Sequence, residues 1–211
     1  MKTILLTALA TAVLAVPAAA AAAPNPVLLH PAKLHAKAPA VYKVRFTTTK
    51  GAFVVTVRRA WAPRGAARFY NLVRARFYDG DPLFRVMPGF VVQWGINPSP
   101  KVSRAWLNAT IRDDKVRHAN ARGTVTFAAA SAPNTRTTQV FVNLANNTAN
   151  LNRLGFAPFG EVTSGMTVIN KLYSGYGDTG NAEGPMFAQG EAFLRTTFPK
   201  LDRILTARVV K

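Results

Sequence analysis

The fold of this chain is limited first of all by a regular alternation of apolar and polar residues that begins at Val41. In residues 41–47, aromatic and valine side chains alternate with Lys, Arg and Thr, and the alternation resumes at Phe53 after the break Thr49-Lys50-Gly51. Because successive side chains of a strand point to opposite faces of a sheet, this pattern predicts a β-hairpin with one buried face.

The rest of the chain adds more strands than helices. Pro63 suits the first turn of a helix, and Ala66, Phe69, Tyr70 and Val73 follow at helical spacing, which predicts a short amphipathic helix. A second helix is predicted over Gly165–Tyr173. Further strands are predicted at 90–94, 124–127, 138–144, 159–162 and 204–210. Since most strands follow one another directly, an antiparallel sheet closed into a barrel or sandwich is expected, with a few helices at its ends.

Composition excludes several classes of function. The chain has 211 residues, 49% of them hydrophobic, which is enough for one core, and no cysteine. Disulfides, a thiol nucleophile and zinc sites built on thiolates are therefore excluded. Residues 175–180 match the spelling of a dinucleotide-binding motif, but they follow a predicted helix rather than a strand, so a glycine-rich loop is favoured. His118 lacks partners at ligand or triad spacing, and we expect no metal and no cofactor.

The N-terminus has the pattern of an export signal. Residues 1–23 carry the charged Lys2 near their start, continue with an apolar run and end in an alanine series, which predicts a signal peptide cleaved around Ala20–Ala23. The apolar run is too short for a membrane span. Residues 24–40 contain four prolines and are predicted to form a tether before a domain at 41–211. We therefore expect a periplasmic or secreted protein.

Two features suggest a binding site without proving one. In residues 138–144, Phe141 falls on the face opposite Val140 and Val142, so it is either covered by a loop or forms the floor of an apolar pocket. Arg85 lies inside an apolar run, where a guanidinium needs acceptors from loop carbonyls or from a ligand. The presence of this arginine favours the interpretation of Phe141 as a pocket floor over that of a ring covered by a loop.

The sequence around Arg85 also resembles a known signature. Residues 83–95 read Leu-Phe-Arg-Val-Met-Pro-Gly-Phe-Val-Val-Gln-Trp-Gly. The cyclophilin family of peptidyl-prolyl cis-trans isomerases has Phe-His-Arg-Val-Ile-Pro-Gly-Phe-Met-x-Gln-Gly-Gly. Further similar segments follow in the family's order at 69–73, 77–80, 123–128, 138–143, 159–162 and 165–166. Residues 133–139 and 190–202 resemble a bacterial exported branch of the family, whose members carry a longer C-terminal segment, here about 174–211.

The resemblance implies a fold and a site. The implied fold is mainly β, a closed eight-stranded antiparallel barrel with two capping helices and a groove on its outer face. The implied catalytic residues are Arg85, Gln93 and Phe141. The implied substrate-binding residues are Phe90, Val91, Ala128, Asn150 and Phe156. Phe84, Val91, Trp94 and Val140 depart from the family's usual residues, and Asn150 is the nearest match to a tryptophan that many eukaryotic members place in the pocket.

The implied activity is rotation about X–Pro peptide bonds, in the service of folding exported proteins. The implied partners are proline-containing polypeptides, and we expect a monomer with no membrane span. The alternative is a non-catalytic cyclophilin-fold chaperone or a polyanion-binding module, because 27 Lys and Arg against nine Asp and Glu give a net charge of +18. The aromatic residues fall on core or pocket positions, so weak polyanion attraction is expected and a specific nucleic-acid partner is not.

Overall fold

The computed structural model of the chain describes residues 25–211, so the predicted signal peptide lies outside the described residues. Eight strands in this part of the chain form one sheet, in which all neighbours are antiparallel and the order is β3-β4-β6-β5-β7-β2-β1-β8. The strands are β1 (Val41–Thr48), β2 (Gly51–Arg58), β3 (Arg85–Met87), β4 (Val91–Trp94), β5 (Thr124–Phe127), β6 (Val140–Asn143), β7 (Pro158–Ser164) and β8 (Ile204–Val210). The predicted mainly β antiparallel architecture is confirmed.

The predicted hairpin is formed by β1 and β2. Val44 lies opposite Val55 and Phe46 opposite Phe53, so the apolar residues of both strands share one face. The rings of Phe46 and Phe53 stack with centroids 4.8 Å apart. All four side chains are buried, which makes this hairpin one wall of the main core.

Helical segments occur at more places than predicted. The α-helices found in residues 25–211 are α1 (Pro63–Arg74), α2 (Pro100–Trp106), α3 (Thr148–Leu151), α4 (Met166–Ile169), α5 (Glu183–Gln189) and α6 (Glu191–Thr197). α1 is the predicted amphipathic helix, and it packs against β7 and β8. The second predicted helix is confined to α4, and the expectation of two capping helices is wrong in number. None of the helices in the described part of the chain is long and apolar enough to cross a bilayer.

The sheet is open, so the expected closed barrel is wrong. Its edge strands β3 and β8 do not pair, and the segments before them meet in a single bridge between Pro82 and Arg203. Backbone hydrogen bonds flank this bridge, from the Leu83 N–H to the Asp202 carbonyl and from the Ile204 N–H to the Asp81 carbonyl, both at 2.9 Å. Beyond it, the carbonyl of Phe84 accepts a hydrogen bond from the Thr179 hydroxyl at 2.6 Å. The free edge of β3 is therefore covered by chain from the C-terminal part rather than by β8.

That covering chain is an insert between α4 and the last strand. We call residues 174–203 the C-terminal insert; it contains α5 and α6 and precedes β8, which pairs with β1. Its Met186 and Leu194 are buried in a second, smaller apolar cluster together with Phe84 and Ile96. The insert is thus packed onto the sheet beside β3 and is held between two elements of the main fold.

The segment expected to be a tether also packs on the domain. Short 3₁₀-helices form at Pro26–Leu29 and Pro31–Lys33, and Leu28 is buried. The indole N–H of Trp106 donates to the Leu28 carbonyl at 2.8 Å. The prolines do not prevent this structure, because each 3₁₀-helix begins with a proline, where the missing N–H has no helical partner to lose.

Candidate active site

A cavity opens on the face of the sheet opposite the main core, beside β3, β4 and β6. It is lined by Arg85, Phe90, Val91, Gln93, Ala128, Ala129, Phe141, Leu151, Phe156 and Glu183. Its volume is about 210 Å³. Pockets for drug-sized ligands occupy about 300–1,000 Å³, so this cavity suits a single ring or side chain rather than a large molecule.

Strand register brings three of the predicted site residues together. Arg85 of β3 lies directly opposite Gln93 of β4, and Gln93 lies directly opposite Phe141 of β6. Residues that face each other across a sheet point to the same side, so these three side chains share the face away from Val92 and Val142. The predicted orientation of Phe141 away from the main core is confirmed.

The floor of the cavity is apolar. Val91, Phe141 and Leu151 are buried in a small cluster of their own, against which Phe156 packs. The rings of Phe141 and Phe156 meet edge to face with centroids 5.7 Å apart. Such a floor favours an apolar ring of the ligand over water.

A tight turn presents the aromatic wall formed by Phe90. The turn joins β3 to β4, and the Phe90 N–H donates to the Met87 carbonyl at 2.9 Å. Pro88 and Gly89 occupy its central positions, and the φ of +76° at Gly89 is a left-handed conformation that favours glycine. The Pro-Gly pair therefore sets where Phe90 stands beside Arg85.

The guanidinium of Arg85 is held on three sides. It donates from Nη1 to Gln93 Oε1 at 3.0 Å, and from Nε and Nη2 to the two carboxylate oxygens of Asp178 at 2.7 and 3.1 Å. Its Cζ lies 5.6 Å from the centroid of the Phe90 ring. The acceptors are thus side chains, one of them from the C-terminal insert. The Arg85 hydrogen bond is the main cause that lowers the pKa of Asp178, and the Gly180 N–H adds to it.

The hydrogen bonds continue along the cavity as a relay of amides. Gln93 donates from Nε2 to Gln139 Oε1 at 2.6 Å, and Gln139 donates from Nε2 to Glu183 Oε2 at 2.8 Å. Gln93 is buried, whereas Glu183 is half-buried at the cavity wall. A line of polar groups therefore borders the apolar floor, running from Asp178 through Arg85 to Glu183.

A cluster of asparagines, in which Asn120 and Asn143 are buried and Asn147 is half-buried, supports the two aromatic walls from behind. Asn147 donates to the Phe90 carbonyl at 3.0 Å, and Asn120 donates to the Phe156 carbonyl at 2.8 Å. Asn143 links the two, since it donates to Asn120 and accepts from Asn147. The positions of both walls therefore depend on one hydrogen-bonded cluster.

Most of the predicted site residues line the cavity, and one does not. Arg85, Phe90, Val91, Gln93, Ala128, Phe141 and Phe156 are all in the lining. Asn150 is exposed and lies outside it, because α3 turns the neighbouring Leu151 inward and leaves Asn150 toward solvent. Five residues of the site were not predicted from the sequence: Ala129, Leu151, Gln139, Asp178 and Glu183. The last two lie in a glycine-rich stretch whose pattern gives no sign of the site.

This sheet with its bordered groove defines a protein of the cyclophilin fold. The crystal structure of a cyclophilin-type peptidyl-prolyl cis-trans isomerase of Cryptosporidium parvum is similar, with a TM-score of 0.61 and 18% sequence identity, over 81% of this chain and 98% of that one. A second crystal structure of that isomerase, in the presence of the dipeptide Ala-Pro, has a TM-score of 0.60 and 19% identity, and covers 80% of this chain and 99% of the other.

Sequence comparison extends the assignment from fold to family. A family model described as cyclophilin type peptidyl-prolyl cis-trans isomerase/CLD matches residues 43–188. A peptidyl-prolyl cis-trans isomerase of Acinetobacter baylyi is 33% identical over 132 residues, covering 61% of this chain and 70% of that protein. Isomerase A of Dickeya dadantii is 35% identical over 136 residues, with the same coverage of both chains. The chain belongs to the cyclophilin-type peptidyl-prolyl cis-trans isomerase family.

Proposed function

We propose that the cavity catalyses rotation about X–Pro peptide bonds and that the chain is a peptidyl-prolyl cis-trans isomerase. The observation that carries the proposal is the alignment of Arg85, Gln93 and Phe141 across β3, β4 and β6, at the border of an apolar cavity of one-ring size. The apolar floor receives the proline ring, and the polar border receives the peptide groups on either side of it. Family membership agrees with this assignment.

The chemistry requires weaker amide resonance in the twisted state. Rotation about the peptide C–N bond has a barrier of about 18–20 kcal/mol, because the nitrogen lone pair is delocalised into the carbonyl. When the bond twists, the prolyl nitrogen pyramidalises and its lone pair becomes a hydrogen-bond acceptor. Arg85 uses three of its five N–H groups on Gln93 and Asp178, which leaves two for the substrate. A bond made mainly in the twisted state lowers the barrier rather than only improving binding.

The two parts of the site do different work. Burying about 100 Å² of proline ring on the apolar floor contributes roughly 2.5 kcal/mol, and it does so equally for the planar and twisted substrate. That contribution lowers KM. A rate increase of about ten-thousandfold needs about 5–6 kcal/mol of additional stabilisation of the twisted state. We assign this part to the charge-assisted bond from Arg85 in a water-poor site.

The test is an NMR exchange or protease-coupled assay on an Ala-Pro peptide. Arg85→Ala is expected to remove most of the catalysed rate, while the apolar floor still binds the peptide. Arg104→Ala is the matched control, since Arg104 is exposed on α2 and lies outside the cavity lining. Equal exchange rates with and without the wild-type protein would refute the proposal.

We infer further that the protein acts on exported polypeptides in the periplasm or the medium of a bacterium. The support is the signal-like pattern of residues 1–23, the absence of cysteine and the likeness of residues 190–202 to an exported bacterial branch. Expression in a bacterium followed by cell fractionation and mass measurement of the mature chain tests this. Cleavage around Ala20–Ala23 and recovery outside the cytoplasm are expected, and an uncleaved cytoplasmic chain would contradict the inference.

The net charge of +18 supports a weak, non-specific attraction to polyanions. We expect a monomer that elutes from a heparin resin below about 0.15 M salt, where charges on a surface are screened within about 8 Å. Retention well above that concentration would instead favour the polyanion-binding alternative.

A further inference from the structure

The C-terminal insert reaches the cavity with a carboxylate that engages the central arginine. Asp178 accepts from both Nε and Nη2 of Arg85, although the two residues are 93 positions apart in the chain. The carboxylate side chain is 53% exposed, whereas that of Arg85 is only 19% exposed. The pair therefore lies at the cavity rim, with the guanidinium on the inner side.

The two bonds fix the plane of the guanidinium. An arginine fork that meets a carboxylate with two parallel N–H groups has one orientation, whereas a single bond would leave the group free to turn. Gln93 holds the third nitrogen at 3.0 Å, and the Phe90 ring lies against the guanidinium. All three guanidinium nitrogens are therefore restrained before any substrate arrives.

The relay of amides restrains the same group from the other side. Arginine can only donate hydrogen bonds and an ionised carboxylate can only accept them, so the two amides between Arg85 and Glu183 have one consistent orientation. Glu183 accepts from Gln139, Gln139 accepts from Gln93, and the oxygen of Gln93 is left facing Arg85. The relay keeps Gln93 in place as an acceptor, and Asp178 supplies the remaining two bonds.

We propose that Asp178 is a positioning residue, which holds the guanidinium of Arg85 in the orientation that donates to the prolyl nitrogen. The inference rests on the proposed isomerase function. Without the carboxylate, Arg85 retains only its hydrogen bond to Gln93. The conformational entropy of its long side chain must then be lost each time that the substrate reaches the twisted state, which raises the barrier. The loss should therefore fall on kcat, because the apolar floor still binds the proline ring.

The experiment compares substitutions of Asp178 in the full chain. Asp178→Asn keeps the size but places an NH₂ group against the donors of Arg85, and we expect kcat to fall about tenfold with KM changed less than twofold. Asp178→Glu retains the carboxylate in a loop that contains Gly175 and Gly177, and it is expected to recover activity to within about threefold of wild type. Glu191→Gln is the matched control, since it makes the same charge change in the same insert while its partners are Arg195 and Arg203.

A second readout follows the arginine itself. The NMR signal of the Arg85 Nε–H, identified by its loss in Arg85→Lys, should be shifted downfield in wild type and in Glu191→Gln and should lose that shift in Asp178→Asn. An unchanged kcat in Asp178→Asn, or a fall in kcat with the Nε–H signal unmoved, would overturn the proposal. An inactive wild-type chain would refute the proposed function instead, and the Nε–H signal would still report whether Asp178 holds the guanidinium.

Discussion

Replacing Asn120 by alanine tests whether the asparagine cluster sets the geometry of the cavity. Asn120 is fully buried, and its side chain takes part in four hydrogen bonds. It donates to Asn152 and to the Phe156 carbonyl, and it accepts from Thr126 and Asn143. The substitution removes all four bonds, and it leaves the Thr126 hydroxyl without its acceptor and the Phe156 carbonyl without its donor.

The expected loss of stability follows from these bonds. A typical intramolecular hydrogen bond contributes about 0.5–1.5 kcal/mol net, and a buried partner left unsatisfied costs about 1–3 kcal/mol. Since the four bonds belong to one cluster and are not independent, we expect the free energy of unfolding to fall by about 3–4 kcal/mol. For a chain of this size, each kcal/mol corresponds to a Tm shift of about 2–4 °C. The predicted decrease in Tm is therefore about 6–16 °C.

The assay combines thermal unfolding with isomerase kinetics. Below the Tm of the variant, KM should rise severalfold, because the Phe156 wall is no longer held by its carbonyl. Asn108→Ala is the control, since Asn108 is exposed after α2, and substitution there should change stability by about 0.5 kcal/mol or less. A Tm decrease in Asn120→Ala no larger than that of the control would refute the reasoning.

Three further predictions concern the core, the backbone and the cavity floor. Burial raises the pKa of Asp81 well above its usual value, with Arg203 opposing the rise, and neither carboxylate oxygen finds a hydrogen-bond partner among the described residues. Because the folded state favours the protonated carboxyl, the free energy of unfolding should fall as pH rises above the pKa of Asp81 in the unfolded chain. Asp81→Asn should therefore raise Tm at pH 7, and the Tm difference from wild type should narrow toward pH 4. A Tm difference that is the same at both pH values would contradict this prediction. Gly95 has a φ of +115°, and an added Cβ would lie 2.5 Å from the Thr138 carbonyl oxygen. Gly95→Ala should therefore lower the free energy of unfolding, measured with denaturant, by about 2–4 kcal/mol. Gly89→Ala is the control and should lower it by about 1 kcal/mol, because a Cβ at Gly89 meets nothing within 4 Å. Phe141→Ala should raise KM about tenfold in the peptide assay by removing ring contact worth about 1.5 kcal/mol, and a fall confined to kcat would show that the ring does not bind proline.

Local patterns predicted seven of the eight strands in the described residues, because each of these has a face in the core, whereas the three-residue β3 (Arg85–Met87) was not predicted. The predicted ranges 124–127 and 204–210 coincide with β5 and β8, and the alternation around Phe141 placed that ring on the correct face. The same periodicity gave no sign of α2, which begins with a proline in a stretch rich in turn residues. Short helices with one buried stripe are poorly marked in a sequence read alone.

The parts that were missed depend on contacts between distant residues. The pairing of Asp178 with Arg85 arises from the packing of the C-terminal insert beside β3, and nothing in the glycine-rich stretch around Asp178 signals a carboxylate with that partner. The covering of the open edge likewise depends on a distant contact, the hydrogen bond from the Thr179 hydroxyl to the Phe84 carbonyl. Residues 25–40 were misjudged because prolines that break α-helices are compatible with 3₁₀ turns packed on a neighbouring surface.

The place of the insert before β8 has a consequence for truncation. β8 (Ile204–Val210) follows the insert and pairs with β1, so a chain cut before Ile204 has no partner for that side of β1 and no strand that holds the far end of the insert. A stop codon placed to trim the insert would therefore remove two things at once, the carboxylate that Arg85 engages and the strand that covers the outer side of the hairpin.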